Sequence, residues 1–100
     1  MADHRGYELV EIARKSGKIK KGTNEATKMV ERGTAKAIVY AADVTPKEII
    51  MHIPLLAKDK GVVCIEVPSK EELGVAAGLT KPTAAVAILD AGDAKGLLKD

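Results

Sequence analysis

The sequence predicts an α/β fold, a central sheet with helices on both of its faces, on three observations. Helical stretches alternate with short apolar runs along the whole chain, in the order α-β-α-β-α-β-α-β. Two helix-start signatures, Thr45-Pro46-Lys47-Glu48 and Ser69-Lys70-Glu71-Glu72, each place a capping residue three positions ahead of a glutamate, and each follows an apolar run. Hydrophobic residues make up 46% of the 100, which supplies one compact core and leaves no room for a second, so residues 1–100 are expected to form a single domain.

The elements follow in order. Leu9, Ile12 and Ala13 make one apolar face of a first helix, which ends at Gly17. Lys18-Ile19-Lys20-Lys21 reads as a short basic strand or turn leading into Gly22. A second helix runs from about Thr23 to near Gly33, with Asn24, Glu25, Lys28 and Arg32 on one side and Ala26, Met29 and Val30 opposite. Residues 35–41 read as a mostly buried strand. The third helix opens at the Thr45 signature and carries Ile49, Ile50, Ile53 and Leu56; Pro54 is expected to kink or divide it. Residues 62–67 form the next strand, Lys70 to Ala77 a short helix ending at Gly78, and residues 83–89 a last strand of small and branched side chains. Gly92 to Asp100 reads as a loose tail or a short terminal helix.

The net charge of +2 permits a nucleic-acid partner without demanding one. The single cysteine, Cys64, lies in Val62-Val63-Cys64-Ile65, so no intrachain disulfide forms and a buried, inert thiol in a reducing cytoplasm is expected. No apolar run approaches the roughly 18 residues of a membrane span, and nothing at the N-terminus reads as a signal peptide.

Enzymatic chemistry finds thin support. His4 lies in the N-terminal tail and His52 inside an aliphatic helix, where a packed or surface role is the ordinary reading; neither has a triad or metal-ligand spacing. The glycines at 17, 22 and 33 lack the spacing of a phosphate-binding loop. Asp43, at a strand end, resembles the carboxylate of a phosphoacceptor domain, although capping or loop hydrogen bonding is the commoner use of such a residue. With Tyr7 and Tyr40 as the only aromatic residues, a sheet or barrel that stacks bases on rings is improbable.

Gly22-Thr23-Asn24-Glu25-Ala26-Thr27-Lys28 carries the most chemistry. It puts an amide, a carboxylate and an amine in the first turns of a helix entered through a glycine, a set able to read the edge of a base. The same residues also suit a solvated helix face. The segment from Leu73 to Pro82 likewise reads in two ways: as a helix ending at Gly78 with Leu79 in the core, or as aliphatic groups beside a cation, able to hold an unstacked base.

Together these motifs resemble the kink-turn RNA-binding ribosomal proteins, most closely their archaeal large-subunit branch. The resemblance covers roughly Glu8 to Asp90. It rests on residues 22–28, on Ala41-Ala42-Asp43 leading to Glu48-Ile49-Ile50 and His52-Ile53-Pro54-Leu55-Leu56, and on Ser69-Lys70 with Leu73-Gly74 through Lys81-Pro82. It implies a three-layer α/β/α sandwich around a central mixed four-stranded sheet. The implied ligand is a sharply bent RNA with tandem sheared G·A pairs and an extruded nucleotide. By the same resemblance Asn24, Glu25 and Lys28 contact the guanines, while Ile49, Lys70, Leu79, Thr80 and Lys81 surround the extruded base or line the adjoining loop. Lys18, Lys20 and Lys21 beside Gly22 and Thr23 are placed to meet converging phosphates.

The implied function is non-enzymatic and needs no cofactor or metal. Its expected RNA partners are ribosomal RNA and the box C/D and H/ACA guide RNAs, and it extends to ribonuclease P; its expected protein partners are those of the ribosome and guide ribonucleoproteins. The expected setting is cytoplasmic and ribosome-associated, with a free monomer that assembles on RNA and no membrane contact. Two rival readings stand beside it: a small nucleotide- or metabolite-binding α/β enzyme using Asp43 and His52, and a structural ribosomal protein without independent kink-turn recognition.

Overall fold

Helix α1 (Arg5–Ser16) buries Leu9, Val10 and Ala13 completely. This is the stripe that a period of 3.6 residues brings to one side. The structure, a computed structural model, describes residues 5–44 and 48–93, apart from the side chains of Arg5 and Ile49. The remaining elements are β1 (Lys18–Lys21), α2 (Thr23–Glu31), β2 (Ala37–Ala41), α3 (Glu48–Lys60), β3 (Val63–Val67), α4 (Lys70–Ala76) and β4 (Ala85–Asp90). The α/β alternation is therefore as the sequence predicts. His4, the Thr45 capping signature and residues 94–100 lie outside the described residues.

The sheet order is β1-β4-β2-β3, with β4 antiparallel to both neighbours and β2 parallel to β3, so the sheet is mixed. The register opposes Val39 to Val86 and Ile65, and Ile38 to Ala87 and Cys64. Side chains on neighbouring strands at paired positions share a face. The Val39 face takes α1 and α4, and the Ile38 face takes α2 and α3, which gives three layers. Ala37, Val39, Ala41, Val86 and Ile88 on one face and Ile38, Ala85 and Ala87 on the other are fully buried, because the two central strands are covered on both sides. No described helix is long and apolar enough to cross a membrane.

Two expectations are corrected. Pro54 does not divide α3, which runs unbroken from Glu48 to Lys60. Proline removes one ladder bond, but Ile50, Ile53 and Ala57, on both sides of it, remain buried and keep the helix continuous. α1 ends at Gly17 as expected, with the Gly17 N–H donating to Ala13 O at 2.8 Å, and glycine is needed there because a Cβ would strike the Asp90 carbonyl. Cys64 is half-buried, not buried, because β3 is the edge strand and α3 covers it incompletely. Burial still pushes its thiol up to about 11, with the Glu66 charge adding to the effect. The thiol is therefore protonated at neutral pH and inert, as expected.

Candidate nucleic-acid interface

One end of the sheet gathers the candidate residues. The C-terminal ends of β1, β2 and β3 and the start of β4 meet there, fastened by N–H groups of Gly22 to Ala85 O (2.9 Å), Ala41 to Ala84 O (2.9 Å) and Ala42 to Val67 O (2.8 Å). The helices that follow these strands, α2, α3 and α4, all begin at this end.

Gly22 makes the turn from β1 into α2. Its φ of 97° and ψ of 146° are strained for any residue with a Cβ, and its carbonyl accepts the Ala26 N–H at 2.8 Å to start the helix. Glycine has no side chain to cap with, so the first-turn N–H groups and the positive end of the helix face outward. Ala26, Met29 and Val30 are buried, which fixes the rotation of α2 and turns Asn24, Glu25 and Lys28 to solvent. The Glu25 carboxylate and Lys28 amine lie 4.0 Å apart, an exposed i,i+3 pair that leaves both groups available to a ligand. Gly22, Thr23, Asn24, Glu25 and His52 line an open cleft of about 550 Å³.

Lys70 opens α4 and is half-buried. Its N–H donates to Asp43 Oδ1 at 2.9 Å, and the Glu72 N–H donates to Ser69 Oγ at 3.2 Å. The reciprocal bond of a capping box is taken over by Tyr7, whose hydroxyl oxygen accepts the Ser69 N–H at 2.8 Å. Burial first, then the neighbouring Glu72 and Asp43 charges, raise the Tyr7 pKa, against the opposing effect of the Ser69 backbone bond. The phenol is protonated at neutral pH.

The α4–β4 loop is shaped by two glycines. Gly78, at φ 81°, ends α4 with the paired bonds Gly78 N–H to Val75 O and Leu79 N–H to Gly74 O, the Schellman arrangement. Gly74 is bare so that the Lys81 backbone can lie against it; a Cβ there would collide with the Lys81 carbonyl. Leu79 is half-buried against the core, while Thr80 and Lys81 are exposed. Ile49 lies in the first turn of α3. Lys18, Lys20 and Lys21 are exposed along β1, an edge strand, where their charges also discourage strand addition.

The arrangement is two patches at one end of the sheet. Asn24 and Glu25 belong to the cleft beside α2, whereas Lys70 and residues 79–81 belong to α4 and its loop, and the first residues of β4 join the two. Two residues beside these patches are absent from the sequence candidates for RNA contact. His52 faces the α2 cleft from α3, and only the packing of α3 against α2 reveals this. Tyr7 ties α1 to the start of α4 across 62 residues of chain. Among the described residues, no three His, Cys, Asp or Glu side chains come together as a metal site.

The profile of the family described as "Ribosomal protein L7Ae/L30e/S12e/Gadd45 family" matches residues 4–98. The large ribosomal subunit protein eL8 of Nitrosopumilus maritimus (strain SCM1) is 54% identical over 91 residues, which is 91% of this chain and 71% of that protein. Among solved structures, the Giardia lamblia 15.5kD RNA binding protein superposes with a TM-score of 0.82 at 33% identity, covering 98% of this chain and 84% of the other.

Proposed function

Because this chain belongs to the ribosomal protein L7Ae/L30e/S12e/Gadd45 family, a non-enzymatic family of ribosomal, kink-turn RNA-binding proteins, we propose that the sheet end described above recognises a kink-turn in RNA. The observation that carries this reading is the pairing of an exposed amide, carboxylate and amine on α2 with an open cleft large enough for a base edge. A guanine engaged in a sheared pair leaves its N–H donors and carbonyl acceptor open. Glu25 accepts from those donors, while Asn24 and Lys28 donate to the acceptors.

Lys70, Leu79, Thr80 and Lys81 provide the second patch, where an aliphatic group holds the extruded nucleotide and lysines neutralise nearby phosphates; Ile49 joins them on the family resemblance. Lys21, Gly22 and Thr23 meet the backbone as the strands converge. The bend crowds phosphates, so each lysine gains more there than on a straight duplex. Stabilisation works by population shift: a protein that binds only the kinked form draws a flexible internal loop into it, and moving a 1:99 equilibrium to 99:1 requires about a 10⁴-fold preference for that form. Ribosomal RNA is the first partner on this reading. Box C/D and H/ACA guide RNAs, their protein partners, and ribonuclease P extend it to other particles that contain the same bend.

The test titrates a kink-turn hairpin carrying a donor and an acceptor dye against the same hairpin with its G·A pairs replaced. Tight binding with shortened end-to-end distance on the first RNA alone supports the reading. Equal behaviour of the two RNAs leaves only a structural ribosomal protein that holds RNA by its backbone.

A further inference from the structure

Asp43 places a carboxylate at the end of β2, on the sheet end that carries the interface. A surface that meets a polyanion loses attraction with every negative charge it holds. What Asp43 does instead is fasten a neighbour. Its Oδ1 accepts the Lys70 N–H, 27 residues on. The Lys70 carbonyl accepts the Thr83 N–H at 3.2 Å, and the buried Thr83 hydroxyl donates to Ala85 O at 3.2 Å. That same Ala85 oxygen accepts the Gly22 N–H. One hydrogen-bonded path thus runs from the β2–α3 turn through the start of α4 and the α4–β4 loop to the first residue before α2.

We propose that Asp43 is a positioning residue for RNA binding: through Lys70 and Thr83 it holds the two patches of the interface in register before RNA arrives. The proposal rests on the RNA-binding reading above. Asp43 itself touches no RNA; its carboxylate is an acceptor for a helix-start N–H, where a negative charge is also favoured by the helix dipole. Held loops need not be ordered on binding, so the RNA alone bears the cost of rearrangement.

Charge and positioning predict opposite signs, which makes the proposal testable with the full chain and a kink-turn hairpin. Asp43→Ala and Asp43→Asn both remove one negative charge; if charge were all that mattered, both would bind RNA more tightly and to the same extent. Positioning predicts that Asp43→Ala binds roughly tenfold more weakly, because a charge-assisted bond is lost. Asp43→Asn keeps an acceptor oxygen in place and stays within about threefold of the wild type. Hydrogen exchange of the Lys70 and Thr83 amides in the free protein gives a readout independent of RNA: faster in Asp43→Ala, close to wild type in Asp43→Asn. Where Asp43→Ala melts below the assay temperature, Asp43→Ser, whose oxygen falls short of the Lys70 amide, takes its place with the same expectations. Equal affinities for the two charge-neutral variants, or unchanged exchange at Lys70 and Thr83, would overturn the proposal. A wild-type protein that ignores the kink-turn would instead sink the RNA-binding reading itself.

Discussion

Replacing Glu25 with alanine separates base readout from stability more cleanly than any other change at the interface. The Glu25 side chain is 52% exposed and its partner Lys28 57% exposed, 4.0 Å away, a geometry for which an i,i+3 pair contributes about 0.2–0.5 kcal/mol. An acid in the first helical turn adds about 0.3–1 kcal/mol through the dipole. Alanine's better helix propensity returns a few tenths of a kcal/mol. The net loss of stability is therefore below about 1 kcal/mol, a shift of melting temperature of at most about 8 °C for a chain of this size. Loss of a base-edge contact costs about 1–3 kcal/mol, or about 5- to 150-fold in Kd. Anisotropy titrations at fixed salt, run with the kink-turn hairpin and with its G·A-replaced control, measure the second quantity, and thermal melting measures the first. The expected outcome is a folded variant that has lost most of its preference between the two RNAs. Unchanged affinity, or an equal loss on both RNAs, would refute the assignment of Glu25 to base readout.

Other expectations follow from single features. Lys20→Ala, which removes one exposed charge from β1, should weaken binding to both RNAs alike and lower the slope of log K against log salt by about one, as salt titrations would measure. Gly22→Ala meets no steric obstacle, since nothing lies within 4 Å of the added Cβ, so its cost is the backbone strain at φ 97° alone: about 1–3 kcal/mol in urea unfolding. The two tyrosines allow an unambiguous ultraviolet titration: both midpoints should lie above the usual 10.0, with Tyr40 pushed up to about 12 by burial and by Glu66 beside it. These raised values also fix the sign of an alkaline effect. Above about pH 9 the unfolded chain releases the Cys64 and Tyr40 protons that the folded chain keeps until about 11 and 12. Melting temperature should therefore fall as pH rises through that window, and less steeply in Tyr40→Phe.

The sequence displayed the parts of this molecule that local periodicity controls. Ala26, Met29 and Val30 at helical spacing announced the buried side of α2, and with it the exposure of Asn24, Glu25 and Lys28. The β2 run, buried at Ala37, Ile38, Val39 and Ala41, announced a strand covered on both faces. Strand order was not readable from the residues alone, because the insertion of β4 between β1 and β2 depends on pairings between distant segments. The partners at the start of α4 were hidden for the same reason: Ser69 advertised its cap three residues ahead, but Asp43 and Tyr7 reach it from 27 and 62 residues away. Of the two outcomes expected at Pro54, division of the helix is absent because tertiary packing of Ile50, Ile53 and Ala57 outweighs the local rule.

Placing β4 between β1 and β2 also has a bearing on biosynthesis. The strand that unites the sheet is the last of the four to leave the ribosome, so a nascent chain has β2 and β3 in hand while the gap beside β2 stays open and Gly22 lacks the Ala85 carbonyl that fixes its turn. Until residues 85–90 emerge, translation yields an incomplete sheet with exposed apolar edges. The turn that presents α2 is then completed in one late step, when the last strand closes the gap.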